Sequence, residues 1–301
     1  MLQAFLHPSG QGGHRLYLHH TSNHGPPARA ALLYIHPWAE EMNKSRRMAA
    51  QASRLLAAQG HAVLQLDLAG CGDSSGEFAQ ASWALWLDDV VEAARWLRAR
   101  HPDAPLWLWG LRSGALLAAQ AAARLAEPVN LLFWQPVQQG KTFLQQFMRL
   151  KAAAQLADGG GKAVLDAARA DLAAGRPIEV AGYTLTQPLC DGLAQASLQS
   201  PVAPVAGASQ GGQAATAPSL VWLECSPQAM ATPSPAALAT LPKWQATGWR
   251  VHSAAVQGPA FWQTTEIEDA PALWQATVDQ LAGAPRAATP DSRDAAAQGS
   301  T

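Results

Sequence analysis

This 301-residue sequence predicts an α/β fold, a mostly parallel sheet with helices on both of its faces. Two observations carry that expectation. From residue 31 to residue 134 short apolar runs alternate with stretches whose apolar residues recur every three to four positions, and the alternation resumes at residue 220. Strands separated by helices of this length build βαβ units, whose crossovers cover both faces of the sheet. Between the two blocks the alternation breaks, which marks an insertion seated on the sheet.

The elements follow in chain order. Residues 14–20 (HRLYLHH) alternate as a strand, and residues 31–36 (ALLYIH) form an apolar strand that runs into a loop. A helix over 44–59 rests on Met48, Ala52, Leu55 and Leu56 at helical spacing, with Gly60 as its stop signal. Residues 62–67 (AVLQLD) are a strand and 70–76 (GCGDSSG) a turn-rich loop. Leu87, Val90, Val91, Ala94 and Leu97 draw one stripe along a helix over 83–100. The strand 105–109 (PLWLW) leads through Gly110 into an alanine-rich helix, 113–126, and 129–134 is the next strand. The insertion, about 137–218, holds a helix at 142–150, a Gly-rich joint at 158–162 and a helix at 163–174. One strand at 178–185 and a low-complexity Gly/Ala/Gln stretch at 206–218 complete it. A strand at 220–224, a helix at 235–247, a strand at 250–256 and a helix at 271–282 return the chain to the sheet. Residues 1–283 thus read as one domain. Residues 284–301, rich in Ala, Gly, Ser and Asp without periodicity, read as a disordered tail.

Composition narrows the function classes. Only 14% of residues are charged, 21 basic against 22 acidic, while 12 are tryptophan. Nucleic acid is not an expected partner, because phosphate binding is driven by counterion release from clustered Lys and Arg. No apolar run approaches the roughly 18 residues of a membrane span. The start, MLQAFLHPSGQGG, lacks the basic flank and apolar block of a signal peptide. Cys71, Cys190 and Cys225 form no even disulfide framework and have no C-x-x-C spacing, so a cytoplasmic location is expected, with neither metal nor other cofactor.

The stretch WLWGLRSGALLA carries the most chemistry. It is a strand–turn–helix in which Gly110 and Gly114 bracket Leu111, Arg112 and Ser113. That is the frame of a nucleophile elbow, G-x-S-x-G, where small residues let a strained side chain stand above the sheet at a helix N-terminus. The central position here is Arg112, and Ser113 comes one residue late. Five segments stand out: HPWAEEMNKSRR at 36–47, DLAGCGDSSGEF at 67–78, GLRSGA at 110–115, AGYTL at 181–185 and GPAFW at 258–262. On these the chain resembles the α/β-hydrolase superfamily and, more narrowly, the second hydrolase family associated with the exosortase A system of exopolysaccharide-producing bacteria. The resemblance implies the α/β-hydrolase fold, with an eight-stranded, mostly parallel sheet and a cap inserted after the sixth strand. It also implies a hydrolase of ester or acyl groups, with exopolysaccharide or exosortase-system proteins as partners.

A working enzyme of that kind needs Ser, then an acid, then His in chain order. Of nine histidines only His252 follows His101, and it falls inside a strand. The loop after that strand holds Gly258, Pro259, Ala260, Phe261 and Trp262. Glu224 is the carboxylate nearest the acid's usual place. An ordinary Ser-His-Asp mechanism is therefore not expected, since a hydroxyl without an adjacent base is a poor nucleophile near neutral pH.

Each candidate residue has a functional and a structural reading. Arg112, at a helix N-terminus, either anchors the carboxylate or phosphate of a small ligand, such as an acyl compound or acidic sugar, or pairs with Glu40, Glu41 or Asp73. Ser113 is a relocated nucleophile or the cap of the following helix. The backbone amides of Trp38 and Ser113 are candidates for an oxyanion hole, and His36 on the same loop is a ligand contact or a hydrogen-bonded strut. Glu40, Glu41 and Asn43 are either the polar start of a helix, with acids leading, or ligand contacts at the mouth of the pocket. Trp38, Trp134 and Trp262 fall at or beyond the C-terminal ends of strands, where ligands bind in open α/β sheets. There they line the site or plug it, whereas Trp83, Trp86, Trp96, Trp244 and Trp274 on helices pack. Asp73 is expected to hold its loop through turn amides, and Cys71 to be a small buried residue. Two functions stay open: an ester or acyl hydrolase with a non-standard site, and a non-catalytic protein that holds an anionic ligand through Arg112. Fold alone does not choose between them.

Overall fold

Runs apolar at successive positions suit central strands of a sheet covered on both faces. In the computed structural model, which describes residues 1–22, 27–153, 161–198 and 217–282, those runs become β3 (Ala31–Ile35), β4 (Ala62–Leu66), β5 (Leu106–Leu111), β6 (Asn130–Trp134) and β9 (Ser219–Ser226). With β1 (Leu2–Pro8), β2 (His14–His20) and β10 (Arg250–Gln257) they form one eight-stranded sheet of order β1-β2-β4-β3-β5-β6-β9-β10. From β4 to β10 every pair is parallel; β1–β2 and β2–β4 are antiparallel. The expected mostly parallel, eight-stranded sheet is the one that forms.

Helices α1 (Glu40–Ala58) and α8 (Pro271–Ala282) cover one face of the sheet. The other carries α2 (Trp83–Arg100), α3 (Gly114–Ala122) and α7 (Pro235–Ala246). Successive side chains of β5 separate accordingly: Trp107 and Trp109 enter the α1–α8 layer, Leu106 and Leu108 the opposite one. Trp107, Trp109, Trp134, Trp222 and Trp244 are fully buried. Each such ring removes about 200 Å² from water, about 5 kcal/mol of transfer free energy. Much of the tryptophan excess is therefore core.

Between β6 and β9 the chain leaves the sheet. It forms α4 (Gly140–Ala153), α5 (Gly161–Ala173), a hairpin of β7 (Ile178–Val180) with β8 (Tyr183–Leu185), and α6 (Gln187–Gln195). Helix α6 lies against α2 and α4, and β8 against the short 3₁₀ turn Phe78–Gln80. Residues 158–160 of the expected Gly-rich joint 158–162, residues 206–216 of the low-complexity stretch and the expected tail 284–301 lie outside the described residues, while Gly161 and Lys162 open α5.

Helix α3 ends at Ala122 rather than at 126, and four other elements depart from the sequence pattern. The alternation at 14–20 does not announce β1, which forms because β2 offers it a continuous ladder from Leu2↔His20 to Pro8↔His14. Helix α1 starts at Glu40 rather than 44: its first turn is polar and adds nothing to the apolar stripe, but two acids suit a helix N-terminus. Residues 178–185 are a hairpin, not one strand, because Ala181 and Gly182 adopt φ of 50° and 82° and reverse the chain. Helix α6 is the fourth, a short element with proline in its first turn.

Candidate functional site

Strand β5 ends at Leu111 and the chain turns sharply into α3. Arg112 makes the turn with φ of 53°, left-handed backbone that costs a non-glycine residue about 1 kcal/mol or more. The end of β6 fixes its peptide groups: its N–H donates to the Trp134 carbonyl at 3.0 Å, and its carbonyl accepts from the Val137 N–H at 3.1 Å. Both flanking glycines are required by close approach. A Cβ on Gly110 would lie 2.5 Å from the Ala115 nitrogen, and one on Gly114 2.3 Å from the Ile35 oxygen. A tight strand–turn–helix thus forms here, with Arg112 at positive φ between two closely packed glycines. Ala39 after β3 (φ 49°) and Gln135 after β6 (φ 43°) also have positive φ. Three neighbouring strands therefore end in strained loops, a concentration found at functional sites.

The Arg112 side chain is engaged on several sides. Nη2 and Nε donate to Glu41 Oε1 at 3.2 and 3.3 Å, and Nη1 to the Gln135 carbonyl at 3.5 Å. The guanidinium carbon lies 5.2 Å from the Trp262 ring centre and 5.7 Å from that of Phe143 on α4. Both members of the ion pair are 18% exposed. Burial pushes the Glu41 carboxyl above the usual carboxylate range, while Arg112 pulls it back. Glu41 Oε2 is buried with no hydrogen-bond partner among the described residues.

The polar row that opens α1 works in several directions at once. Glu41 turns to the elbow, whereas Glu40 Oε2 accepts from Asn43 Nδ2 at 3.1 Å and from the Tyr183 hydroxyl of the hairpin at 3.2 Å. Lys44 Nζ donates to the Thr264 carbonyl at 2.6 Å, Arg46 to Asp67 at 2.9 Å and Arg47 to Asp269 at 2.8 Å. Of the acids proposed as partners for Arg112, Glu41 is the one the fold delivers. Asp67 rather than Asp73 holds the 70–76 loop, for its Oδ2 accepts from the Asp73 N–H at 3.1 Å and its carbonyl from the Ser74 hydroxyl at 2.5 Å; the Asp73 side chain is exposed.

Ser113 does not cap α3. Its backbone is already helical, and its Oγ accepts from the Trp38 N–H at 2.9 Å. The serine is 3% exposed, so one of the two expected oxyanion-hole amides is occupied by the adjacent hydroxyl. Both ring nitrogens of the buried His36 are hydrogen-bonded to backbone: Nδ1–H donates to the Pro37 carbonyl at 2.8 Å, and Nε2 accepts from the Leu68 N–H at 3.2 Å, in the tautomer those partners require. Burial lowers the pKa of this imidazole and keeps it neutral.

Glu224 and Trp134 are also drawn into the framework. Glu224 Oε1 accepts from Trp222 Nε1 at 3.0 Å and from Ser234 Oγ at 2.9 Å, while Oε2 accepts from the Ser234 N–H at 2.6 Å. Ser234 in turn caps α7. Trp134 is fully buried and donates to Thr277 Oγ1 of α8 at 3.0 Å, its ring 4.6 Å from that of Trp109. Trp38 packs among Phe78, Trp86 and Phe147. Of the three tryptophans expected to face a ligand, Trp262 is the one that meets Arg112. Among the described residues no histidine or carboxylate is hydrogen-bonded to Ser113, and His252 lies exposed on β10. The sequence reading misses Gln135, Phe143 and Tyr183, whose residue types carry no signal apart from their places at strand ends and on the insertion.

Residues 26–158 match the family model described as serine aminopeptidase, S33. The lysophosphatidylserine lipase ABHD12 of Xenopus tropicalis is 29% identical over 96 residues, which cover 32% of this chain and 24% of that protein. Protein ABHD12B of Homo sapiens is 31% identical over 96 residues, 32% of this chain and 25% of its own length. The chain thus spans about a quarter of the length of the curated relatives it matches. Est1E from Butyrivibrio proteoclasticus has a TM-score of 0.59 at 12% identity, with 93% of this chain and 99% of that chain covered. A thermostable carboxyl esterase from Bacillus coagulans has a TM-score of 0.53 at 13% identity, covering 85% and 90%.

The fold is that of the α/β hydrolases. In this α/β-hydrolase frame the elbow residue is a cation paired to α1, and the loop after the last strand supplies an aromatic ring to it. Such an arrangement holds and shields charge. Among the described residues no three or more His, Cys, Asp or Glu side chains gather to hold a metal, and no helix is long and apolar enough to cross a membrane.

Proposed function

We propose that this α/β-hydrolase-fold protein is a non-catalytic binding or regulatory protein rather than an ester or acyl hydrolase. The Arg112–Glu41 pair at the elbow carries the reading: the place from which a nucleophile would attack holds a paired cation, covered by Trp262. Two further observations support it. Ser113 is tied to Trp38 and has no base beside it, and Glu224 is bonded to Ser234 and Trp222. The ligand is a small anion, an acyl carboxylate or an acidic sugar, whose carboxylate takes the place of Glu41 on the Arg112 fork. Exchange of one carboxylate for another keeps the guanidinium paired, and the burial of Glu41, with one oxygen unpartnered, makes it a replaceable partner. Trp262 and Phe143 then contact the body of the ligand. Association with exosortase or exopolysaccharide proteins belongs to the same proposal and rests on the family resemblance, and a cytoplasmic location rests on three cysteines without an even disulfide framework.

The test has two arms. p-Nitrophenyl esters of several chain lengths and a fluorophosphonate probe are expected to leave the protein unreacted; turnover or capture that Ser113→Ala abolishes overturns the non-catalytic reading. Glucuronate and short acyl carboxylates are expected to raise the melting temperature of the wild type but not of Arg112→Ala. Equal stabilisation of both proteins removes Arg112 from the ligand site.

A further inference from the structure

At the opposite end of β5 from the elbow a cleft of about 310 Å³ opens between α2 and the end of α3, within the size range of small-molecule sites. Leu106, Leu125 and Val129 give it an apolar lining, and Arg95, Arg98 and Arg124 stand around it with Glu127 as the one acid. Two of these cations are committed: Arg98 to Glu127 at 3.2 Å and to the Pro128 carbonyl, and Arg124 to Asp88 at 3.0 Å. Arg95 makes no hydrogen bond or ion pair to any described residue, and its side chain is exposed. It borders a second cavity of about 580 Å³ as well, so it stands on the ridge between the two openings.

We propose that this cleft is a binding site for an anionic amphiphile, a medium-chain acyl carboxylate, distinct from the elbow. The tail lies against Leu125, Leu106 and Val129 and leaves water. The carboxylate lies on Arg95, whose planar fork matches two oxygens. Charge complementarity selects this occupant. The lining carries three cations against one acid, and a single unpaired guanidinium suits one monovalent head group rather than a polyanion. A purely apolar ligand would gain nothing from Arg95, and a cationic amphiphile would meet its uncompensated charge, Arg98 and Arg124 being paired with Glu127 and Asp88.

Isothermal titration of the full chain with sodium decanoate tests the site. Saturable binding is expected, with Arg95→Ala weakening it about tenfold and Leu125→Trp, which fills the cleft, abolishing it. Decanol and decyltrimethylammonium are expected to bind at least tenfold more weakly than decanoate. Arg112→Ala is expected to leave this binding in place, which separates it from the elbow. Methyl resonances of Leu125 and Val129 are expected to shift on titration, a readout independent of whether a variant folds well. Decanoate binding unaffected by Arg95→Ala, decanol binding as tight as decanoate, loss in Arg112→Ala alone, or still methyls at saturation would each overturn the proposal.

Discussion

Arg112 Nη2 and Glu41 Oε1 meet 3.2 Å apart above the end of β5, joining the elbow to the first turn of α1. Glu41→Ala leaves the guanidinium between Trp262 and Phe143 without its carboxylate. The expected cost is about 2 kcal/mol, less than for a fully buried pair because solvent still reaches both side chains. Arg112→Ala in the same chain is expected to recover part of it. Denaturant melts of the two single variants and the double variant measure the coupling; additive losses would mean the pair contributes nothing of its own.

Ser113→Ala is a stability variant. It leaves the buried Trp38 N–H without its acceptor, so unfolding free energy is expected to fall by about 1–2 kcal/mol. Ester turnover is expected at background in both proteins. The urea midpoint and a p-nitrophenyl acetate assay on the same preparation check both halves.

Glu224→Ala is expected to cost about 2–3 kcal/mol, since Ser234 and Trp222 lose their acceptor together. Because Ser234 caps α7, the loss concentrates there. Hydrogen exchange is expected to show faster opening of α7 than of α1.

Acid is expected to weaken the fold between about pH 6.5 and 4. Burial lowers His61 and His19 from 6.5 to about 4, and His36 shifts down for the same reason. Their folded forms favour the neutral ring, so their contribution is complete above the unfolded value and is lost as pH falls through it toward the folded one. For His61 alone that amounts to about 2 kcal/mol by pH 5. Asp89 acts oppositely. Burial raises its carboxyl to about 6 against the pull of the Ala69 N–H and Arg15, so its folded state gains relative to the unfolded one as pH falls from 6 toward 4. Burial shifts His20 and His101 down as well, and Glu41 acts in the sense of Asp89; five histidines against two carboxylates leave a net loss, and a melting temperature unchanged from pH 7 to pH 5 would contradict it.

Much of the sheet was legible because apolar periodicity reports burial, and burial on both faces reports a central strand. β1 was not: its outward residues Leu2 and Leu6 remain half exposed, so its existence depends on pairing with β2 rather than on a buried face. At the site, Arg112 in the elbow could be read from the spacing of Gly110 and Gly114. The partner of that arginine could not. Glu40 and Glu41 are adjacent in sequence but about 100° apart around a helix, and α1 begins earlier than its apolar stripe suggests.

By itself the sequence determined most of the order of strands and helices, short of β1, the hairpin and α6, together with the glycine-framed turn at Arg112 and the Gly258–Trp262 loop after the last strand. All of these follow from spacing along one stretch of chain. The tertiary structure alone decided that Glu41 rather than Glu40 meets Arg112, that Ser113 bonds the Trp38 amide, that Glu224 holds Ser234, and that Trp134 faces Thr277 while Trp262 faces the elbow. Each of these is a contact between elements distant in sequence. It depends on how deeply one helix or loop sits against another, and a difference of one residue in helical phase or strand register sends the side chain elsewhere.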